Sequence, residues 1–224
     1  MEITAFLDMF RKALSQVDET YYGIDWWNQS QLNYPELYQD DPRQQAIQTY
    51  LARYGERVFC YEFYHQLRSL MKDFSIENPG LDSSVRLEAE LRKRELDADL
   101  EELFDVKALD KEYIPDFLLH SPGDFDKQWL VIEVKSNPKT AFGDIRDDLS
   151  KIQKFISSYK YEKGIFLIVN NPISRIRGLL SDSSNQEWIR NNLRNSPGIL
   201  FISKENRGSE IFECCLNNIP EFNS

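Results

Sequence analysis

Asp116, Glu133 and Lys135 are the residues of this chain whose types and spacing point to chemistry. Asp116 follows Pro115 in the run Tyr113-Ile-Pro-Asp-Phe-Leu-Leu119. Glu133 and Lys135 lie 17 and 19 positions later, in Trp129-Leu-Val-Ile-Glu-Val-Lys135. Side chains on a strand alternate between its faces, so Glu133 and Lys135 share a side and Val134 takes the other. Charges inside an apolar strand are costly to bury without partners. Such a pair also occurs on a half-exposed surface strand, but here Leu130, Val131, Ile132 and Val134 make both faces apolar, as in a central strand. A metal ion beside the two carboxylates would be a partner, and a lysine next to it could hold an attacking water. Those are parts for hydrolysing a phosphodiester.

The elements that must position these residues follow from hydrophobic spacing. Residues 3–17 carry Ile3, Phe6, Leu7, Phe10, Leu14 and Val17 at helical intervals. Residues 18–38 are aromatic and polar and predict an irregular connection, where Trp26 and Trp27 either cap the core or stack on bases. Asp41-Pro42 predicts a helix start, and the helix over about 43–72 is expected to break near Gly55. Its second part sets Phe59, Cys60, Phe63, Leu67, Leu70 and Met71 on one stripe. Extended backward, that stripe includes Glu56 and leaves Glu62 on another side. Asn78-Pro-Gly80 is a turn. The segment 85–95 fits a strand or a helix by pattern alone. Strands are predicted over 113–120 and 128–135, joined by a turn at Ser121-Pro-Gly-Asp124. A helix over 143–159 buries Ile145, Leu149, Ile152, Phe155, Ile156 and Tyr159. The continuous apolar run Gly164-Ile-Phe-Leu-Ile-Val169 predicts a strand covered on both faces. Helices near 173–180 and 184–195, a strand over 198–202 and a last strand over 209–216 complete the order.

Pro115-Asp116 with Glu133-Val134-Lys135 resembles the PD-(D/E)XK nuclease superfamily, the restriction-endonuclease-like fold. The resemblance covers roughly residues 50 to 205. It implies an α/β fold with an αβββαβ core, a mixed central sheet flanked by helices, and makes 85–95 a strand. Residues 46–224 would form this nuclease-like domain, with residues 1–45 as a helical N-terminal extension. By resemblance, Asp116, Glu133 and the carbonyl of Val134 would hold a divalent ion, Lys135 would orient the water, and Glu56 would complete the catalytic set. Oxygen donors favour Mg²⁺ or Mn²⁺ over Zn²⁺. Lys93, Lys151, Arg175 and Arg177 are candidates for gripping the nucleic acid backbone, with Lys151 expected off the apolar stripe of its helix. Gln153 on that helix is a further polar candidate. His65 and His120 are either phosphate contacts or hydrogen-bonded structural residues.

Size and charge set the remaining bounds. The chain has 224 residues and is 41% hydrophobic and 13% aromatic, enough for one domain with a sizeable core. Its net charge of −10 argues against a general nucleic-acid binder, although site carboxylates would be neutralised by their ion, and much of the excess lies between Glu95 and Asp105. There is no Gly-rich phosphate loop and no nucleophile elbow, and two distant histidines exclude the usual zinc hydrolase spacings. The start, Met1-Glu-Ile-Thr-Ala, lacks the basic region of a secretory signal, and no stretch reaches the length of a membrane span. Three cysteines, two of them adjacent, fit a reduced, cytoplasmic setting. The expected function is therefore a metal-dependent nuclease acting on DNA rather than RNA, and the resemblance implies a homodimer or a complex with a partner subunit. The alternative is a non-catalytic interaction module that keeps the fold within a defence or repair assembly.

Overall fold

A computed structural model describes residues 2–22, 44–78, 84–90, 113–124, 126–193 and 198–216, with side chains of the second segment from residue 54 onward. Among the described residues, six strands form one mixed sheet in the order β1-β2-β3-β4-β5-β6. These are β1 (Arg86–Ala89), β2 (Phe117–His120), β3 (Gln128–Lys135), β4 (Lys163–Val169), β5 (Ile199–Lys204) and β6 (Phe212–Cys215). β1, β2 and β3 pair antiparallel, β3, β4 and β5 pair parallel, and β6 returns antiparallel to β5. The helices among the described residues are α1 (Ile3–Gln16), α2 (Glu19–Tyr22), α3 (Gln44–Glu77), α4 (Phe142–Tyr159), α5 (Ile173–Ser181) and α6 (Ser183–Leu193). The protein is thus α/β, with helices on both faces of the sheet.

Strand alternation divides the core in two. Phe117, Leu119, Leu130, Ile132 and Val134 face α1 and α3, where Phe10, Phe59, Phe63 and Leu67 are buried. Leu118, Val131, Phe166 and Ile168 face α4, α5 and α6. Aromatic rings carry the contact from α1 through α3 to the sheet: Phe10 meets Phe63 edge-on at 4.8 Å, and Phe63 meets Phe117 at 5.9 Å. The Arg11 guanidinium donates to both carboxylate oxygens of Glu213, at 2.7 and 2.9 Å, tying α1 to β6.

α3 runs unbroken through Gly55, where a break was expected. One helical glycine costs only about 1 kcal/mol. Burial of Phe59, Phe63 and Leu67 on the following turns outweighs it. β2 begins at Phe117 rather than at Tyr113, which makes an isolated bridge. Pro115 has no N–H to contribute to a ladder, so regular pairing starts after it. β1 ends at Ala89, and residues 91–95 lie outside the described residues, as do Trp26, Trp27, Lys93 and the acidic run from Glu95 to Asp105. β3 and α4 agree closely with their expected spans. α4 lies tightly on β4: a Cβ at Gly164 would stand 2.1 Å from Ile152 Cγ2, so only glycine fits there.

Candidate active site at the ends of β2 and β3

The site forms where β2 starts and β3 stops. Phe117 pairs with Ile132, so Asp116 lies just beyond the last paired residue of β2, beside Glu133. The Val134 N–H donates to Asp116 Oδ2 at 2.7 Å. A strand residue turns its N–H and C=O to the same edge, so the Val134 carbonyl also faces the side of Asp116. Glu133 and Lys135 lie on the α4 face together with Val131. Glu133 is 1% exposed.

α3 and α4 close around these strand ends. From α3, Glu56 Oε2 accepts a 3.4 Å hydrogen bond from the Ser136 N–H, and Glu56 Oε1 lies 3.8 Å from Lys135 Nζ. From α4, Asp148 Oδ2 lies 2.8 Å from Lys135 Nζ, and Asp148 Oδ1 lies 3.8 Å from Lys151 Nζ. Lys151 Nζ in turn reaches Glu133 Oε2 at 2.5 Å. The loop after Lys135 is fixed from behind. Asn170 Nδ2 donates to the Ser136 carbonyl at 2.9 Å, and Asn171 Nδ2 to the Asn137 carbonyl at 2.9 Å. Arg175 donates to the carbonyls of Pro138 and Thr140 at 3.1 and 2.9 Å.

Four carboxyl groups thus face two ammonium groups, a formal excess of two negative charges if all were ionised, in a mostly buried place. Burial pushes the Glu56 carboxyl up to about 7; Lys135 opposes the rise and Asp116 adds to it. Burial likewise raises Asp116 against the Val134 N–H and the two lysines. Glu133 is raised further, first by burial and then by the charge of Asp116. Burial works against the Lys135 charge, but Glu56, Asp148 and Asp116 more than offset it and raise its pKa. Lys151 behaves in the same way through Glu133 and Asp148. Crowded carboxylates of this kind are a feature of functional sites, because each charge is held at the expense of its neighbours.

The oxygen donors that a hard cation would take are those of Asp116 and Glu133. Glu133 Oε1 is buried and accepts no hydrogen bond from a described residue. Such an oxygen is costly to leave without a partner, and a hard cation would satisfy it. No group of three or more His, Cys, Asp or Glu side chains with the arrangement of a metal centre occurs among the described residues. The carboxylates are instead interleaved with the two lysines.

Of the residues singled out in the sequence, Glu56, Asp116, Glu133, Val134, Lys135 and Lys151 come together here. Lys151 borders the buried stripe of α4 and is half-buried against Glu133, rather than lying off the stripe. Arg175 holds the 138–140 turn, and Arg177 lies over the Phe212 ring at 5.2 Å from its centre. His120 is buried and bonded to Glu88 at 2.8 Å, while His65 is exposed. Glu62 bonds Gln66 along α3. Asp148 was missed. Its signal lay in α4 itself, where it falls three residues after Ile145 and four before Ile152, an acidic residue on an apolar stripe.

Set against known proteins, the chain matches no family model, no curated protein and no solved structure.

Proposed function

We propose that the protein is a divalent-metal-dependent nuclease with a restriction-endonuclease-like fold, hydrolysing phosphodiester bonds in DNA. The fold reading rests on the order α3, β1, β2, β3, α4, β4 around a mixed sheet. The function rests on one observation. Asp116, Glu133 with its bare buried oxygen, and Lys135 meet at adjoining strand ends, and Glu56 joins them from α3. Asp116, Glu133 and the Val134 carbonyl would hold Mg²⁺ or Mn²⁺. Once bound, the ion supplies Lewis acidity toward the phosphate and balances the excess negative charge. Lys135, held by Asp148 and Glu56, orients the attacking water and offsets charge growing on the phosphate. Glu56, with its pKa near 7, is suited to exchange a proton with that water. Lys151 keeps Glu133 neutralised until the site is loaded.

The test is a thermal melt across a Mg²⁺ and Mn²⁺ titration beside a plasmid-nicking assay. The parent protein is expected to gain stability with the ion and to nick the plasmid, and Asp116→Asn to do neither. A melt unmoved by either ion together with an intact plasmid would defeat the reading. A second reading has its own support: both lysines are already engaged by carboxylates, and the net charge is −10. On that reading the fold serves as a non-catalytic interaction module within a defence or repair assembly, and its melt is unaffected by the ions.

A further inference from the structure

Next to the carboxylates, a cleft of about 460 Å³ opens between α3 and the ends of β1 and β2. Among the described residues, Glu56 and Asp116 line its inner part, and Tyr54, Arg57, Tyr61 and Glu90 line its walls and rim. Tyr54, Arg57 and Tyr61 are spaced i, i+3 and i+7, so they share one face of α3. Both tyrosines are unusually open for their size: Tyr54 is 43% and Tyr61 58% exposed. Among the described residues, α3 builds the core with Phe59, Phe63 and Leu67. Opposite them, Glu90 takes a left-handed conformation with φ 48°, and its N–H is tied to the Asp116 carbonyl at 3.0 Å. The end of β1 is therefore fixed as the facing wall.

We infer that this cleft receives a short unpaired stretch of a single-stranded nucleic acid, with one base stacked on Tyr61, another on Tyr54, and a phosphate between them directed toward Asp116. The inference rests on the nuclease reading for the fate of that phosphate. The volume lies within the range of sites that enclose a small ligand. Aromatic faces beside an arginine are the usual means of holding unpaired bases without choosing among them. A paired base keeps its faces inside the duplex stack and presents none to a tyrosine, so the cleft discriminates by strandedness. Arg57 is paired with Glu90 at 3.2 Å, but both groups are exposed. Such a pair contributes little to stability, so Arg57 can turn to a phosphate at small cost. The acidic floor would repel that phosphate by itself, which makes binding depend on a divalent ion.

The experiment measures fluorescence anisotropy of a labelled oligothymidylate and of a blunt duplex, both with the full chain in Ca²⁺, alongside cleavage of the same oligothymidylate and of a plasmid in Mg²⁺. The parent is expected to bind the single strand more tightly than the duplex. Tyr61→Ala and Tyr54→Ala should each weaken single-strand binding by about tenfold, the stacking contribution of one aromatic side chain. Tyr61→Phe should restore it, since the ring and not the hydroxyl does the stacking. Tyr61 is exposed, so its loss leaves the fold intact, which the melt verifies. If the parent binds the single strand through the tyrosines but cleaves neither it nor the plasmid, the binding site stands and the nuclease reading falls. If the parent cleaves either substrate while both alanine variants bind the single strand as the parent does, the nuclease reading stands and this inference is overturned. Absence of single-strand binding by the parent also overturns it.

Discussion

Glu56 should make this protein less stable as the solution becomes more alkaline, and Glu56→Gln should remove much of that loss. The carboxyl titrates at about 7 in the fold against 4.5 for an ordinary glutamate. Between those values the folded chain holds a proton that the unfolded chain has released. The unfolded state then binds fewer protons, so stability falls as pH rises through this window. At 1.36 kcal/mol per pH unit, the loss due to Glu56 is about 3 kcal/mol. The side chain is 22% exposed, so solvent screening removes only a part of this. Asp116 and Glu133 are shifted in the same direction and steepen the decline. Glutamine stands in for the protonated acid. Glu56→Gln should exceed the parent by about 1 kcal/mol or less near pH 5 and by about 3 kcal/mol at pH 8, or roughly 6–12 °C in Tm for a chain of this size. Lys135 would still have Asp148 at 2.8 Å. The assay is urea unfolding followed by tryptophan fluorescence from pH 5 to 8.5, with a chelator present to exclude divalent ions. A parent whose stability is flat or rising across that range, or a variant whose curve runs parallel to the parent's, would refute the argument.

Lys135→Ala should abolish plasmid nicking and, in chelator at pH 8, cost about 1–3 kcal/mol in urea unfolding, because Glu56 and Asp148 lose their shared counter-ion. Lys135→Arg should fold but nick poorly, since a planar guanidinium does not replace a compact ammonium. Asp148→Asn should flatten the pH dependence of stability, though less than Glu56→Gln does, because Asp148 raises Glu56, Asp116 and Glu133 only as a lesser cause; the same urea series measures it. Gly164→Ala should lower stability by about 1–3 kcal/mol, because the new methyl group would meet Ile152 Cγ2 and force α4 off β4; a melt gives the size of the loss.

Much of the architecture was legible because its apolar periods are strong. The run 164–169 could only be a strand covered on both faces, and β4 has parallel neighbours on either side. The six apolar positions of α4 repeated cleanly enough to fix its ends within a residue. The meeting of Asp116, Glu133 and Lys135 followed from strand alternation, and Glu56 followed from the stripe it shares with Cys60 and Phe63. What sequence spacing did not reveal was long-range pairing of charge. That Lys151 would turn to Glu133, and that Asp148 would bridge two lysines, depends on how α4 crosses β3, which no local pattern encodes. Gly55 misled for a related reason: local propensity favours a break, and tertiary burial overrules it.

The parallel pairing of β3 with β4 has a consequence for how the charges of the site are balanced. Two adjacent parallel strands cannot be joined by a tight turn, so the chain must cross the sheet between them, and here it crosses as α4. The β2–β3 hairpin supplies Asp116, Glu133 and Lys135, while Asp148 and Lys151, which pair with Lys135 and Glu133, come from that crossover. One connection therefore sets both the direction of the strands and the electrostatics at their ends.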